Sequence, residues 1–322
     1  MNEISSAPLP KTILPPHADK GARLYISWSA LYAHPLPEGH RFPMEKYELI
    51  PEQLLYEGTI TEDNLYDPGK VTEEMVLLTH DKAYWEKLKH GTLSPKEVRR
   101  TGFPYSPRLI ERALTIPMGT IQNVRFAQKY GVAINGAGGT HHAFTDRGEG
   151  FCLLNDIAIA ANYLLAWNEI SQALVIDLDV HQGNGTAQIF QQDPRVYTLS
   201  VHGAANYPLR KEESDLDIPL PTGIEDDEYL SRIGSILPKL FDEVNPDVVF
   251  YLSGVDVLET DRLGLLSLSR AGCKARDELV FAMCKEREVP MAVSLGGGYS
   301  RQVKDIVEAH CNTFRAAQDI FF

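Results

Sequence analysis

Asp177-Leu178-Asp179-Val180-His181 is a dense run of side chains able to hold a metal. Polar and apolar residues alternate along it, and in extended backbone residues two apart project to the same side. Asp177, Asp179 and His181 then share one face, with Leu178 and Val180 buried opposite. A capping or turn cluster would use the same residue types. Three ionisable groups at the end of a buried strand, however, are costly unless paired or metal-bound. Carboxylate and imidazole donors suit zinc, and an open catalytic zinc site takes three protein ligands. Asp256 supplies the third, in Ser253-Gly254-Val255-Asp256, after another apolar strand. A binuclear manganese site would want further carboxylates two residues beyond His181 and Asp256. Those positions are Gly183 and Leu258, so the sequence predicts one metal. A non-haem iron triad usually takes two His and one carboxylate. The opposite ratio here favours Zn2+, with Fe2+ as the chemical alternative.

A second group of residues could move protons. Gly138-Gly139-Thr140-His141-His142 places two imidazoles after a glycine-rich turn. Adjacent histidines are often plain surface residues. Facing a metal, they become candidates for acid–base work, because His titrates nearest neutrality. Asp177 and Asn184 are the nearest polar partners to fix their tautomers. Gly296-Gly297-Gly298-Tyr299 puts one phenol after three glycines. A packed aromatic in a turn is one reading. A hydroxyl aimed at a developing oxyanion is the other, and a path too tight for side chains favours it.

The elements that must position these groups alternate in type. Apolar, β-branched runs mark strands at Gly131–Ile134, Ala173–Leu178, Val196–Val201, Asp247–Leu252 and Met291–Leu295. Helix-period segments lie between them: Ser106–Tyr130 with a break expected near Pro117, Leu153–Trp167, Thr186–Gln192, Asp226–Glu243, Ser269–Glu286 and Arg301–Phe314. The first hundred residues are expected to add one strand, around Leu24–Ser27, and several short helices. Strand–helix alternation predicts a mainly parallel sheet with helices on both faces, a three-layer α/β/α fold. Each polar cluster follows a strand, and ligands of open parallel sheets bind at the carboxyl ends of the strands. The loops should therefore converge on one pocket.

Composition sets the class. The chain has 322 residues, of which 43% are hydrophobic. No apolar run reaches the roughly 20 residues of a membrane span. Residues 1–20 are polar and Pro-rich, without the basic start and apolar core of a signal peptide. They read as a loosely ordered lead-in to a cytoplasmic protein, with the catalytic domain over 21–322. Cys152, Cys273, Cys284 and Cys311 lack short pairings and read as reduced thiols. A net charge of −13 argues against a nucleic-acid surface and suits solubility or a cationic substrate.

Together these residues resemble the zinc-dependent histone deacetylase family, the arginase–deacetylase fold, from about Leu24 to Phe314. His34 to Pro43 looks like the family's first loop. GGTHHAFTDRGEGFCLLNDIAIA, DLDVHQGNG, SGVDVLETDRLG, LSLSRAGCKARDELV and GGGYS look like its later motifs. The spelling is most similar to class IV deacetylases and their bacterial relatives. The resemblance implies zinc on Asp179, His181 and Asp256, His142 as general base, and His141 paired to Asp177 as its companion. It implies Tyr299 as the group polarising the scissile carbonyl. Gly150 and Phe151 would line an acyl-lysine tunnel, with Gly139 and Gly297 beside the substrate and Arg41 at an inner cavity. A structural K+ would rest on Asp177 and Ser200 and on the carbonyls of Asp179, His181 and Val201. Substrates would be acyl-lysine proteins or peptides, or acetylated polyamines. Polyamine enzymes usually carry a dimer-forming insertion, and none is obvious here. Three departures stand out. Asn184 replaces a carboxylate beside the base, Thr140 replaces an aromatic and suggests room for longer acyl groups, and Tyr207 is expected to replace an aromatic wall.

Overall fold

The structure, a computed structural model, describes Lys11 and residues 18–322. Most of the expected lead-in, residues 1–20, therefore lies outside the described residues. The chain builds one eight-stranded sheet in the order β2-β1-β3-β8-β7-β4-β5-β6. Its strands are β1 (Tyr25–Ser27), β2 (Leu65–Tyr66), β3 (Val132–Asn135), β4 (Ala173–Asp177), β5 (Val196–Gly203), β6 (Leu216–Leu220), β7 (Val248–Leu252) and β8 (Met291–Ser294). Every pairing is parallel.

Because strand side chains alternate between faces, the sheet supports two cores. Leu174, Ile176, Val249, Tyr251 and Val293 pack on one face with α1 (Lys46–Glu57), α8 (Asp226–Val244), α9 (Arg270–Glu286) and α10 (Val303–Phe321). Ala173, Val175, Val248, Phe250 and Ala292 pack on the other. There they meet α2 (Glu73–Val76), α3 (Lys82–His90), α5 (Pro107–Tyr130) and α6 (Asp156–Ala166). Two short helices, α4 (Pro95–Thr101) and α7 (Asn184–Phe190), lie in the connections. Side chains start several helices. Asn155 accepts the Ala158 N–H at 3.0 Å, and Ser269 accepts the Gly272 N–H at 2.9 Å. Each satisfies a donor that the first turn leaves without an intrahelical partner.

Three expectations need correction. No break occurs at Pro117: α5 runs unbroken over Pro107–Tyr130. Its middle is buried on all sides, so packing outweighs the cost of a proline there. The first hundred residues supply two strands rather than one, because β2 is only two residues long and leaves no alternating pattern. The strand β6 also escapes sequence reading, since Pro219 sits within it. It lies at the sheet edge, where a missing N–H costs least.

Strand order explains why the polar loops meet. The strands β3, β8, β7, β4 and β5 are consecutive in the sheet. Their carboxyl ends carry His141–His142, Tyr299, Asp256, Asp179–His181 and Ser200–His202.

Candidate active site

Beyond Asp177 the β4 chain leaves the ladder, and beyond Leu252 so does its neighbour β7. Asp179, His181 and Asp256 then turn toward each other, with their ligand atoms within 4.8 Å of one another. His181 Nδ1 lies 3.0 Å from Asp179 Oδ1 and 3.2 Å from Asp256 Oδ2. Backbone donors hold the carboxylates. Gly297 N–H donates to Asp179 Oδ2 at 2.7 Å, and Val180 N–H to Asp256 Oδ1 at 3.0 Å. A Cβ on Gly297 would stand 1.9 Å from Asp256 Oδ2, so only glycine fits that approach.

The electrostatics of this trio favour a cation. All three residues are buried. Burial and the neighbouring Asp179 charge push Asp256 up to about 7. Burial opposes a charged imidazole at His181, yet the Asp179 and Asp256 carboxylates outweigh it and raise the ring to about 10. The protein thus draws positive charge to the point where the three ligand atoms meet. Two hard oxygens and one imidazole fit a single divalent ion such as zinc. Among the described residues no other His, Cys, Asp or Glu group is arranged to hold a metal.

Beside the trio the two imidazoles of His141 and His142 lie 4.0 Å apart, centroid to centroid. His141 Nδ1 is 2.6 Å from Asp177 Oδ2, and His142 Nδ1 is 2.6 Å from Asn184 Oδ1. The amide oxygen can only accept, so His142 carries its proton on Nδ1 and leaves Nε2 free to take another. The environments push the rings apart. Burial, then the charges of His141 and His181, hold His142 well below the ordinary histidine value. Burial also acts on His141, but Asp177 outweighs it and raises that ring. One ring is kept neutral while its neighbour is held by a carboxylate.

The trio and both imidazoles line one cavity of about 40 Å³, together with Gly139, Thr140, Gly150, Phe151 and Tyr299. Tyr299 is buried, with its ring centroid 6.5 Å from that of His181. Asp261 and Arg262 grip its backbone: Tyr299 N–H donates to Asp261 Oδ2 at 2.6 Å, and Arg262 Nε donates to the Tyr299 carbonyl at 2.9 Å. Gly150 and Phe151 are tied to α4, through N–H bonds to Arg100 O at 3.1 Å and Thr101 O at 2.9 Å. Phe151 adopts the left-handed φ of 68°, unusual for a bulky residue. Its ring packs edge-on to Phe42 at 5.2 Å, giving the cavity an aromatic wall. Tyr207 lines a neighbouring pocket with Glu149 and Asn184 rather than this cavity, and is 40% exposed. Its ring meets His142 edge-on at 5.0 Å, and its hydroxyl donates to Glu149 at 2.6 Å. Thr140 is fastened by its hydroxyl to buried Asp156 at 2.7 Å. Ser200 and Val201 are buried on β5, with Ser200 opposite Asp177 in the ladder.

Arg41 does not take the place expected for it. It is exposed and lies over the Phe151 ring at 5.2 Å, while the arginine lining the cavity is buried Arg112. The first loop turns Phe42 inward and Arg41 out. Arg112 went unnoticed in the sequence, although an arginine among apolar neighbours of α5 was the signal. Asp261 and Arg262 lacked any such signal, because only tertiary contact joins them to Tyr299.

Comparison with known proteins places the chain in a family. The histone deacetylase domain model matches residues 40–314. An uncharacterized protein of Picosynechococcus sp. is 43% identical over 90% of this chain and 97% of its own length. Histone deacetylase 2 of Arabidopsis thaliana is 30% identical over 84% of this chain and 73% of its own. The crystal structure of the HDA15 HD domain superimposes with a TM-score of 0.77, covering 92% of this chain and 88% of that one, at 20% identity. The eight-stranded parallel sheet between helices, with a buried Asp-His-Asp cluster at its strand ends, is the arginase–deacetylase type of α/β fold. The chain belongs to the histone deacetylase family.

Proposed function

We propose that this protein is a zinc-dependent deacylase that hydrolyses the side-chain amide of acyl-lysine in proteins or peptides. The observation that carries the reading is one cavity in which Asp179, His181 and Asp256 converge opposite a neutral His142 and the Tyr299 ring. Asp179, His181 and Asp256 would hold the zinc, which when bound would act as a Lewis acid toward the amide carbonyl and the attacking water. His142 Nε2 accepts the proton of that water, while Asn184 steadies the ring from Nδ1. Tyr299 donates its phenolic hydrogen to the oxyanion that forms. Burial and the charges of Asp256 and Asp179 keep that phenol well above its ordinary pKa, so the proton is present to be shared. His142 then returns its proton to the departing amine. His141, held by Asp177, is the companion whose charge keeps His142 neutral and ready to take that proton.

The Gly150 carbonyl and the Phe151 ring are proposed to receive the lysine stem, with Gly139 and Gly297 allowing close approach of the acyl group. K+ is proposed at Asp177 and Ser200, with carbonyls of Asp179, His181 and Val201. A small cavity favours acetyl over long acyl chains, against the room that Thr140 alone suggests. The four buried, unpaired thiols fit a reducing compartment, and we place the protein in the cytoplasm on that basis.

An acetylpolyamine amidohydrolase would use the same residues, and the acidic chain charge admits a cationic amine. The test is kcat/KM of the zinc-loaded protein on acetyl-, butyryl-, octanoyl- and myristoyl-lysine peptides beside acetylspermidine. The acetyl peptide is expected to be turned over best. A preference for acetylspermidine would overturn the protein substrate. A rise toward octanoyl would overturn the acetyl preference and restore the expectation from Thr140.

A further inference from the structure

The segment LSLSRAGCKARDELV lines no part of the cavity, yet it carries a fully buried arginine. Arg276, on α9, is 0% exposed, as is its neighbour Asp277. Burying such a pair carries a large desolvation cost, and apolar residues of similar volume often serve a core as well or better. Its bonds show what the charge does there. Nε and Nη2 both donate to Asp277 Oδ1, at 2.9 and 2.8 Å. Asp277 is completed by the Tyr251 hydroxyl at 2.5 Å and the Thr313 hydroxyl at 2.6 Å. That leaves Nη1, which donates to Gly254 O at 2.6 Å and Leu178 O at 3.2 Å.

Those two carbonyls belong to the segments that carry the ligand trio. The β4/β7 ladder ends at Asp177 opposite Leu252, followed by one bond from Leu178 N–H to Leu252 O at 3.2 Å. Past it Leu178 leads directly into Asp179, and Gly254 stands two residues before Asp256. Their carbonyls lie in the core without a ladder partner, and an unmet buried acceptor is costly. The two chains also come very close there, since a Cβ on Gly254 would lie 2.4 Å from Asp179 Oδ2. One guanidinium nitrogen therefore joins the two backbones at the place where the sheet stops joining them.

We propose that Arg276 is a positioning residue for the metal site: its Nη1 bridges the Leu178 and Gly254 carbonyls and so sets the separation of Asp179 and Asp256. The proposal rests on the zinc reading above. It is tested by zinc affinity, read by competition with a chromophoric chelator on metal-free protein, together with the Tm of that protein. Arg276→Lys keeps a cation for Asp277 but has no planar fork to span both carbonyls. Its zinc affinity is expected to fall about 10- to 100-fold, the usual cost of losing a group that orients metal ligands. In the zinc-saturated enzyme kcat should fall with KM little changed. Thr313→Val is the control: it loosens Asp277 without touching either carbonyl, so it should lower Tm and leave zinc affinity as it was.

Unchanged zinc affinity in folded Arg276→Lys overturns the proposal, and so does an equal loss in Thr313→Val. If Arg276→Lys does not fold, Arg276→Met with Asp277→Asn removes both charges and takes its place in the assay. Failure of both to fold also overturns it, because the pair would then serve the core alone. Asp179→Asn separates the two claims. Full zinc affinity there refutes the metal reading itself, whereas loss there with normal affinity in Arg276→Lys refutes only the bridge.

Discussion

Asn184 shows how one side chain sets the chemistry of another. It offers His142 an amide oxygen at 2.6 Å where a carboxylate would offer a full negative charge. A carboxylate there favours the imidazolium and raises the pKa of the ring. In Asn184→Asp, then, His142 should stay protonated to a higher pH. The acid limb of the kcat/KM–pH profile is expected to move upward, and a profile identical to wild type would separate His142 from the role of base. Tyr299 is the other residue whose proposed work rests on a single atom. Phe at this position keeps the ring against His181 and Phe42 but removes the donor. Turnover should fall by about 100- to 1,000-fold while bound zinc, measured by metal analysis, stays at wild-type stoichiometry. His142→Ala should behave alike, and near wild-type turnover in either variant would refute its assigned role.

Among the elements, α1 and α10 are joined by an ion pair between Glu57 at the end of α1 and Arg315 on α10. Arg315 Nε and Nη2 donate to the two Glu57 oxygens at 2.8 and 2.6 Å. The Arg315 hydrogen bonds hold Glu57 down to about 2. A carboxylate depressed in the folded state adds stability that is fully present above its unfolded value near 4.5. That stability declines as pH falls from there toward 2 and is gone below it. Glu57→Gln should thus lower stability at pH 7 by about 1 kcal/mol, since the pair is partly open to solvent. The difference from wild type should shrink across the acid limb of a Tm–pH series. A difference independent of pH would show that packing, rather than charge, joins the helices. The long elements were legible from periodicity, and so were the strands β3, β4, β5, β7 and β8. The edge strands β2 and β6 were not, one for its brevity and one for its proline.

For the whole molecule, the proposed metal site at the end of the sheet would tie stability to metal. A ligand that binds only the folded state stabilises it by about 4 kcal/mol at a thousand times its Kd. For a chain of this size that corresponds to a rise in Tm on the order of 5–10 °C. Adding zinc to chelator-treated protein should produce that rise, and Asp179→Ala should abolish it. A Tm indifferent to zinc in the wild type would overturn the single-metal reading. Among the described residues no helix is long and apolar enough to cross a membrane.

The sequence by itself determined the residue types and their local faces. Alternation alone put Asp179 and His181 on one side of a strand end. Gly183 and Leu258 pointed to one metal rather than two, because those side chains offer no ligands. Such signals are local, and local periodicity is what a chain displays before it folds. Tertiary structure decided everything that depends on which strands become neighbours. It placed β8 and β7 between β3 and β4, which brings Tyr299 and Asp256 to the His pair across long separations in the chain. It turned Arg41 outward and Arg112 inward, a choice made by loop geometry and helix packing. It also set a buried guanidinium from α9 behind the ligand loops. Its two bonds reach 98 and 22 positions along the chain, and no periodicity in any of the segments encodes them.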